Sequence, residues 1–366
     1  MVKKVLIFGK FDILHPGHIK LIKEAQKLGE VTAVLESDKI IKSLHHSQVF
    51  YNQKIRQKNL ENFGLNIHVR KENTAQEILD NFCPDVLCLG EDQHFLQKMF
   101  ADIDGSRVET IQLSQPTLFK SSRLKTILED NQAGIYLLDK PKGVNSFKSV
   151  SILRKVLDIK KVGFAGTLDP LASGLLIMGT GKATRLLDWF HLLPKIYQAD
   201  ILFGQTSNTY DLEGKVNINK QVKAFDKKYL ENIIVKFIGR QDQVAPIFSA
   251  KKIDGQKLHK LARQGKEVKA PSKEIEIYDL KIKKFKYPNL MLEVSCSAGT
   301  YIRSLAHDLG EVSGQGALLA NLRRTRIGDF SVEQAIIFEK IKLMTLKKYY
   351  ISPKEIISSL NQHFYR

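Results

Sequence analysis

Cysteine is scarce: Cys83, Cys88 and Cys296 are the only three in 366 residues. Three thiols cannot make a disulfide framework or complete a zinc site by themselves, so no metal is expected and a reducing, cytoplasmic setting fits. Long apolar runs are also missing. None approaches the ~20 residues that span a bilayer, so no membrane partner is expected. The opening MVKKVLIFGKFD is apolar but broken by Gly9, Lys10 and Asp12, without a small-residue cleavage site. It reads as a buried strand rather than a leader. Acidic residues are short of basic ones, 39 against 57, for a net charge of +18. Such an excess suits a polyanion, since Lys and Arg displace counterions from phosphate, although a generally basic protein would show it too.

What is present is globular: 43% hydrophobic and 26% charged residues exclude a mainly disordered chain. The length favours two domains over one core. In the first, VKKVLIF (2–8) ends at Gly9 as a buried parallel strand would, and IKLIKEAQKL has helical spacing. VTAVLE (31–36), DVLCLGED (85–92) and RVETIQL (107–113) read as further strands, and SSRLKTILED (121–130) as a closing helix. This is an α/β, Rossmann-like pattern with a parallel sheet over residues 1–130. After the polar junction NQAG (131–134) the texture changes. GIYLLDKPKG, YQADILFG, EIEIYDLKIKKF and LMLEVSCSAGTYI read as strands, several alternating as half-buried antiparallel strands do. Helical patterns at 147–157, 227–238, 301–312 and 315–322 make residues 131–345 an α+β domain with a mixed, largely antiparallel sheet, and 346–366 a basic helical tail.

Residues 8–18 read Phe-Gly-Lys-Phe-Asp-Ile-Leu-His-Pro-Gly-His, two histidines flanking Pro-Gly where a loop opens a helix. A helix N-terminus attracts anions, imidazoles can bond phosphate oxygens, and glycine lets the backbone approach a nucleotide. GKFDxxHPGH resembles the GxFDxxHxGH signature of the nucleotidyltransferase superfamily that includes glycerol-3-phosphate cytidylyltransferase and FAD synthetase. The likeness covers residues 1 to about 130. It implies Gly9, Lys10, His15 and His18 at the nucleotide, with Arg56 of NQKIRQKNLENFG and Ser121 and Ser122 of a degenerate second motif beside them. It also implies CTP or ATP with Mg2+, and a small phosphorylated or alcohol co-substrate, if the domain is active.

The second motif is Gly163-Phe164-Ala165-Gly166-Thr167-Leu168-Asp169-Pro170. A lone aspartate in a turn is ordinarily a turn former. Here CSAGTYIRSLAHDLG (296–310) also places Arg303 on an apolar segment, where a buried guanidinium needs a carboxylate. DKPKGVNSF (139–147), VGFAGTLDPLASGLL (162–176), KIYQADILFGQTSNTYDLEGKV (195–216), QVAPIFSAKKIDGQKLHKLARQG (243–265) and GALLANLRRTRIG (316–328) together resemble the TruB family of tRNA pseudouridine synthases, in order, from 134 to about 345.

That resemblance implies that Asp169 is the nucleophilic carboxylate, that Tyr197 stacks on the uracil, and that Arg303 pairs with Asp169. It implies no cofactor for the isomerisation. It makes Phe164 an RNA-binding wedge where the family usually has histidine. Lys140, Lys251, Arg323 and Arg324 are candidate phosphate contacts. Ala245, Phe248 and Ala298 replace the family's common Pro, Tyr and Lys, and no room is expected for the RNA-binding PUA domain many members carry. The leading expectation is isomerisation of the T-loop uridine (position 55) of tRNA. A nucleotidyltransferase with a vestigial second domain and a non-catalytic RNA chaperone are the alternatives. Charge separates the halves: residues 1–130 hold 18 Lys+Arg and 17 Asp+Glu, leaving 39 and 22 for the rest. The basic excess belongs to the half that resembles a tRNA enzyme.

Overall fold

The computed structural model describes residues 2–365, apart from 46–48, 72–73, 91–92, 94–95, 97, 99, 101–107, 114–120, 249–251, 254–255 and 258–270. The chain divides into two compact units, one made of Met1–Asn131 with Pro353–Arg366 and the other of Gln132–Ser352.

The first unit carries strands β1 (Lys4–Gly9), β2 (Glu30–Leu35), β3 (Asn66–Val69), β4 (Val86–Gly90) and β5 (Glu109–Leu113). They form one parallel sheet in the order β3-β2-β1-β4-β5. Alternate residues of β1 feed two cores, Val5 and Ile7 on one face and Leu6 and Phe8 on the other. A strand buried on both faces reads as an unbroken apolar run, as residues 5–8 do. The short β3 was not anticipated, because NIHV has little apolar content.

The helix Pro353–Tyr365 belongs to this unit, where it packs on the helices Pro16–Leu28 and Ser121–Leu128 and buries Ile356, Ile357 and Leu360. The expected tail from 346 is thus split, with residues up to Ser352 counted in the second unit.

The second unit carries β6 (Gly134–Lys140), β7 (Val162–Ala165), β8 (Ala172–Thr180), β9 (Lys195–Phe203), β10 (Gln205–Ser207), β11 (Val216–Ile218), β12 (Gly239–Val244), β13 (Lys252–Ile253), β14 (Gln256–Lys257), β15 (Ser272–Lys286), β16 (Asn289–Cys296), β17 (Ala317–Ile327), β18 (Phe330–Ser331), β19 (Ile336–Ile337) and β20 (Tyr350–Ile351). Its main sheet runs β12-β15-β16-β9-β17-β8-β6-β19, with β7 on β8, β18 on β17 and β20 on β6. The pairing is mixed and mostly antiparallel, with β17–β8 and β19–β6 parallel. The helices Lys227–Ile234 and Ile302–Ser313 cover β9, β15, β16 and β17, while Ser146–Leu157 packs against β6, β7 and β8.

Two expectations fail here. Residues 315–322 do not form a helix: from Ala317 onward they are the start of β17, which lies between β9 and β8 and buries Leu318, Leu319 and Leu322. An Ala-Leu-rich run favours helix by propensity, and sheet packing on both sides overrides it. Nor is the tail 346–366 uniformly helical, since β20 interrupts it.

Candidate active site

Asp169 lies in the short loop between β7 and β8, and that loop is held from several sides. Ser146 Oγ accepts from Leu168 N at 3.1 Å and donates to Leu168 O at 2.9 Å. Gly143 N donates to Pro170 O at 2.7 Å, and Ala172 N to Asp169 O at 3.0 Å. From β17, buried Arg324 donates through Nη2 to Gly166 O at 2.8 Å and through Nε to Leu175 O at 2.9 Å. Gly166 has φ +67°, and a Cβ there would stand 3.0 Å from Arg324 Nη1. Glycine is therefore dictated both by conformation and by the approach of the guanidinium.

Facing the loop is the start of the helix Ile302–Ser313. Its entry is pinned by Gln243, which accepts from Tyr301 N at 2.7 Å and donates to Tyr301 O at 3.0 Å. Arg303 follows, 7% exposed. Its Nη2 lies 3.0 Å from Asp169 Oδ2, and its Nη1 lies 3.5 Å from Oδ2 of Asp211. The same guanidinium donates to Thr209 O at 3.1 Å and Phe248 O at 3.2 Å. Asp211, 2% exposed, also accepts from Thr209 Oγ1 at 2.5 Å and Glu213 N at 3.0 Å. A planar fork with several donors can serve two carboxylates and two carbonyls together, which an ammonium cannot. The Asp169 carboxylate keeps 43% of its surface exposed, so one side is free for a substrate.

A cavity of about 290 Å³ lies beside this pair, lined among others by Asp169, Tyr197, Leu322 and Arg303. Tyr197 and Arg324 are cross-strand partners on β9 and β17. Burial pushes the Tyr197 phenol up, against the pull of Arg324, so it is a neutral hydroxyl at physiological pH. Lys195, at the same wall, is pushed down to about 8, first by burial and then by Arg324. Its ammonium donates to the carbonyls of Phe190, His191 and Leu193 at 2.6–3.0 Å. In an adjoining hollow lined by Asp169, Asp211 and Arg303, burial and then Asp211 push the Glu213 carboxyl up.

The structure thus brings Asp169, Arg303 and Tyr197 to one cavity. Phe164, at the other side of the loop, packs edge-on against Phe147 at 5.3 Å between ring centroids. The candidate phosphate contacts are placed differently. Lys140 is fully buried, donating to Pro141 O and Val144 O, with its amine pushed down to about 8 by burial. Arg324 is 1% exposed and closes the Gly166 turn. Arg323 is engaged by both oxygens of Asp139, at 2.9 and 2.7 Å. Lys251 lies outside the described residues. The cations expected at phosphate therefore include two that hold the loops of the cavity instead. Buried cations need fixed acceptors, and turn carbonyls supply them. Asp211 was missed: within TYDLEG it reads as a turn aspartate, and only its distance from Arg303 gives it a place.

In the first unit His15 caps the helix Pro16–Leu28, its Nδ1 accepting from His18 N at 3.4 Å, and the two imidazoles stack at 3.8 Å. His15 is 3% exposed, and burial followed by His18 holds its pKa well below the ordinary value. Gly9 ends β1, with any Cβ 3.2 Å from the Phe11 ring. Arg56 departs from the expected phosphate role. It is 0% exposed, and its donors go to Tyr51 O, Lys10 O, Glu36 O and the Asp38 carboxylate. The motif's Asp12 accepts from Phe50 N and Tyr51 N, tying down the same segment. Ser121 and Ser122 open the helix Ser121–Leu128, but their side chains lie outside the described residues.

Residues 6–126 match the cytidylyltransferase-like family model. Residues 154–302 match the N-terminal domain of TruB family pseudouridylate synthases, and 303–360 the C-terminal domain of tRNA pseudouridylate synthase B. The tRNA pseudouridine synthase B of Syntrophotalea carbinolica is 41% identical over 58% of this chain and 69% of its own length. That of Chlamydia felis is 44% identical over 56% of this chain and 86% of its own. Among solved structures, a Cbf5-Nop10-Gar1 complex aligns with TM-score 0.48 and 25% identity over 63% of each chain. Since the matched relatives are covered over more than two thirds of their length at above 40% identity, the chain belongs to the TruB family of pseudouridylate synthases.

Proposed function

We propose that the second unit isomerises the T-loop uridine of tRNA, conventionally position 55, to pseudouridine. The observation that carries this reading is the Asp169–Arg303 pair, 3.0 Å apart at the wall of a cavity that Tyr197 also lines. The reaction breaks the N1–C1′ bond, turns the uracil and joins C5 to C1′; C5 gives up its proton and N1 ends protonated, so the product is an isomer. Asp169 supplies the nucleophile that holds one fragment through the turn. Arg303 fixes the carboxylate by a charge-assisted bond, and Tyr197 packs the flipped ring. None of these steps calls on a metal or an organic cofactor. Asp169→Asn tests it: pseudouridine in a T-arm RNA, read by mass-shift labelling, should vanish while RNA binding persists. Undiminished turnover by that variant rejects the assignment.

A second activity is favoured by one observation, the stacked His15–His18 pair at a helix N-terminus within the cytidylyltransferase-like match. We read it as a site for the phosphates of CTP or ATP with Mg2+, acting on a small phosphorylated or alcohol substrate. Pyrophosphate release abolished by His18→Ala supports it. Release unaffected by that change sinks it.

A further inference from the structure

If Lys140 and Arg324 serve the loops of the cavity and Arg323 is held by Asp139, the phosphate of an RNA must meet other cations. Between 140 and 161 the sequence holds seven basic residues and one acidic one. The helix Ser146–Leu157 occupies the middle of that stretch. It buries Ser146, Ser149, Val150 and Leu153. Its other face presents Phe147, Lys148, Ser151, Arg154 and Lys155 to solvent, at the spacing that places them on one side. Phe147 is 66% exposed, an unusual position for a ring of that size.

The face is continuous with the catalytic loop. Ser146, the residue before Phe147, exchanges two hydrogen bonds with Leu168, the residue before Asp169. The Phe147 ring meets Phe164 edge-on, with planes at 82°. Aromatic surface flanked by exposed cations is what single-stranded or locally opened nucleic acid binds, because each base has a face to stack and each nucleotide a phosphate to neutralise.

We propose that the exposed face of the helix Ser146–Leu157 is an RNA-binding surface, on which Phe147, braced by Phe164, stacks an unpaired base while Lys148, Arg154 and Lys155 neutralise the flanking phosphates. The inference rests on the pseudouridine synthase reading for the identity of the RNA, a T-arm hairpin. The surface itself is tested without turnover.

The full-length protein is made with Asp169→Asn to silence chemistry. Binding of a T-arm hairpin RNA is then measured by fluorescence anisotropy from about 50 to 200 mM salt. Phe147→Ala should weaken binding about ten-fold with the salt slope unchanged, and Phe147→Trp should restore it. Lys148→Glu/Arg154→Glu/Lys155→Glu should weaken binding at low salt and flatten the slope by about 0.9 for each phosphate no longer neutralised. A control with the same change of charge, Lys220→Glu/Lys223→Glu/Lys228→Glu, should leave most of the slope in place. Equal effects of the two triple variants would mean that net charge alone acts, and would overturn the surface. Unaltered affinity in Phe147→Ala would remove the stacking role. If the enzyme with Asp169 intact forms no pseudouridine while these variants still weaken binding, the catalytic reading fails and the surface stands.

Discussion

Arg303 offers the sharpest quantitative test of the site. Its guanidinium is the counter-charge of Asp211, whose side chain is 3% exposed, and of Asp169, whose side chain is 43% exposed. Removing one member of a buried pair costs about 3–5 kcal/mol, because the other charge is left without compensation. The half-exposed Asp169 adds at most about 1 kcal/mol, since water screens it. Arg303→Leu should therefore destabilise the second unit by about 3–5 kcal/mol. An amide at 211 still accepts from Thr209 and Glu213 but carries no charge. In Arg303→Leu/Asp211→Asn the loss should accordingly fall short of the sum of the two single losses by about 2 kcal/mol or more. Activity should not return, because Asp169 still has no partner. Arg303→Lys should also be inactive or nearly so, one ammonium being unable to reach both carboxylates and both carbonyls.

The chain provides its own reporter. Trp189, 1% exposed, is its single tryptophan and lies in the second unit, so urea unfolding followed by its fluorescence reads that unit alone. A two-unit chain needs such a local probe. Strict additivity of the two changes, or a loss below about 1 kcal/mol in Arg303→Leu, would refute the coupling of Asp211 to Arg303.

Two further outcomes concern the first unit. Deleting 353–366 removes Ile356, Ile357 and Leu360 from its core, which at about 1.5–3 kcal/mol per side chain amounts to about 5–9 kcal/mol, an upper estimate comparable to a domain's whole stability. Limited proteolysis should then degrade residues 1–131 while the Trp189 transition is unchanged; a protease-resistant first unit would contradict the packing. The second outcome is a pH dependence. His15 stays neutral when folded, its pKa held well below 6.5 by burial, so below pH 6.5 the unfolded chain takes a proton that the folded one refuses. Stability of the first unit should drop as pH falls from 6.5 towards the folded pKa, by at most about 1.4 kcal/mol per unit for this group, and His15→Asn, which can still cap the helix, should remove that part of the slope in thermal melts at pH 7.5 and 5.5.

The parts legible in the sequence are those that local pattern controls. The apolar run 5–8, the helix at 146–157 and the alternation in β15 and β16 each follow from which neighbours a side chain must meet along its own element. The run at 317–322 failed because its conformation is set by β8 and β9, residues more than a hundred positions away. The same distinction separates the site residues. Asp169 and Arg303 sit in motifs that can be read locally. The roles of Asp211, Lys140 and Arg324 depend on what stands across the cavity, and sequence does not place a basic side chain inside or outside.

The charge of the second unit divides along the same line. Net charge counts Lys140, Lys195, Arg303 and Arg324 as freely as any surface lysine, yet all four are below a tenth exposed and surrounded by acceptors. Lys140 closes the turn that leads into Ser146, which in turn holds Leu168. Lys195 gathers the carbonyls at the end of the helix Leu187–Leu192. Arg324 shapes the Gly166 turn, and Arg303 joins the Asp169 loop to the Thr209–Asp211 loop. Lys140 and Lys195 thus tie down turns of their own segments, whereas Arg324 and Arg303 reach from β17 and from the helix Ile302–Ser313 to distant loops. Desolvation opposes this arrangement, as the lowered pKa values of Lys140 and Lys195 show, and satisfied hydrogen bonds offset it. In the reaction proposed above, a nucleophile that must meet C1′ or C6 within a fraction of an ångström needs a loop fixed in this way. In the proposed reaction the buried cations therefore act through position, and attraction for RNA is assigned to the exposed ones.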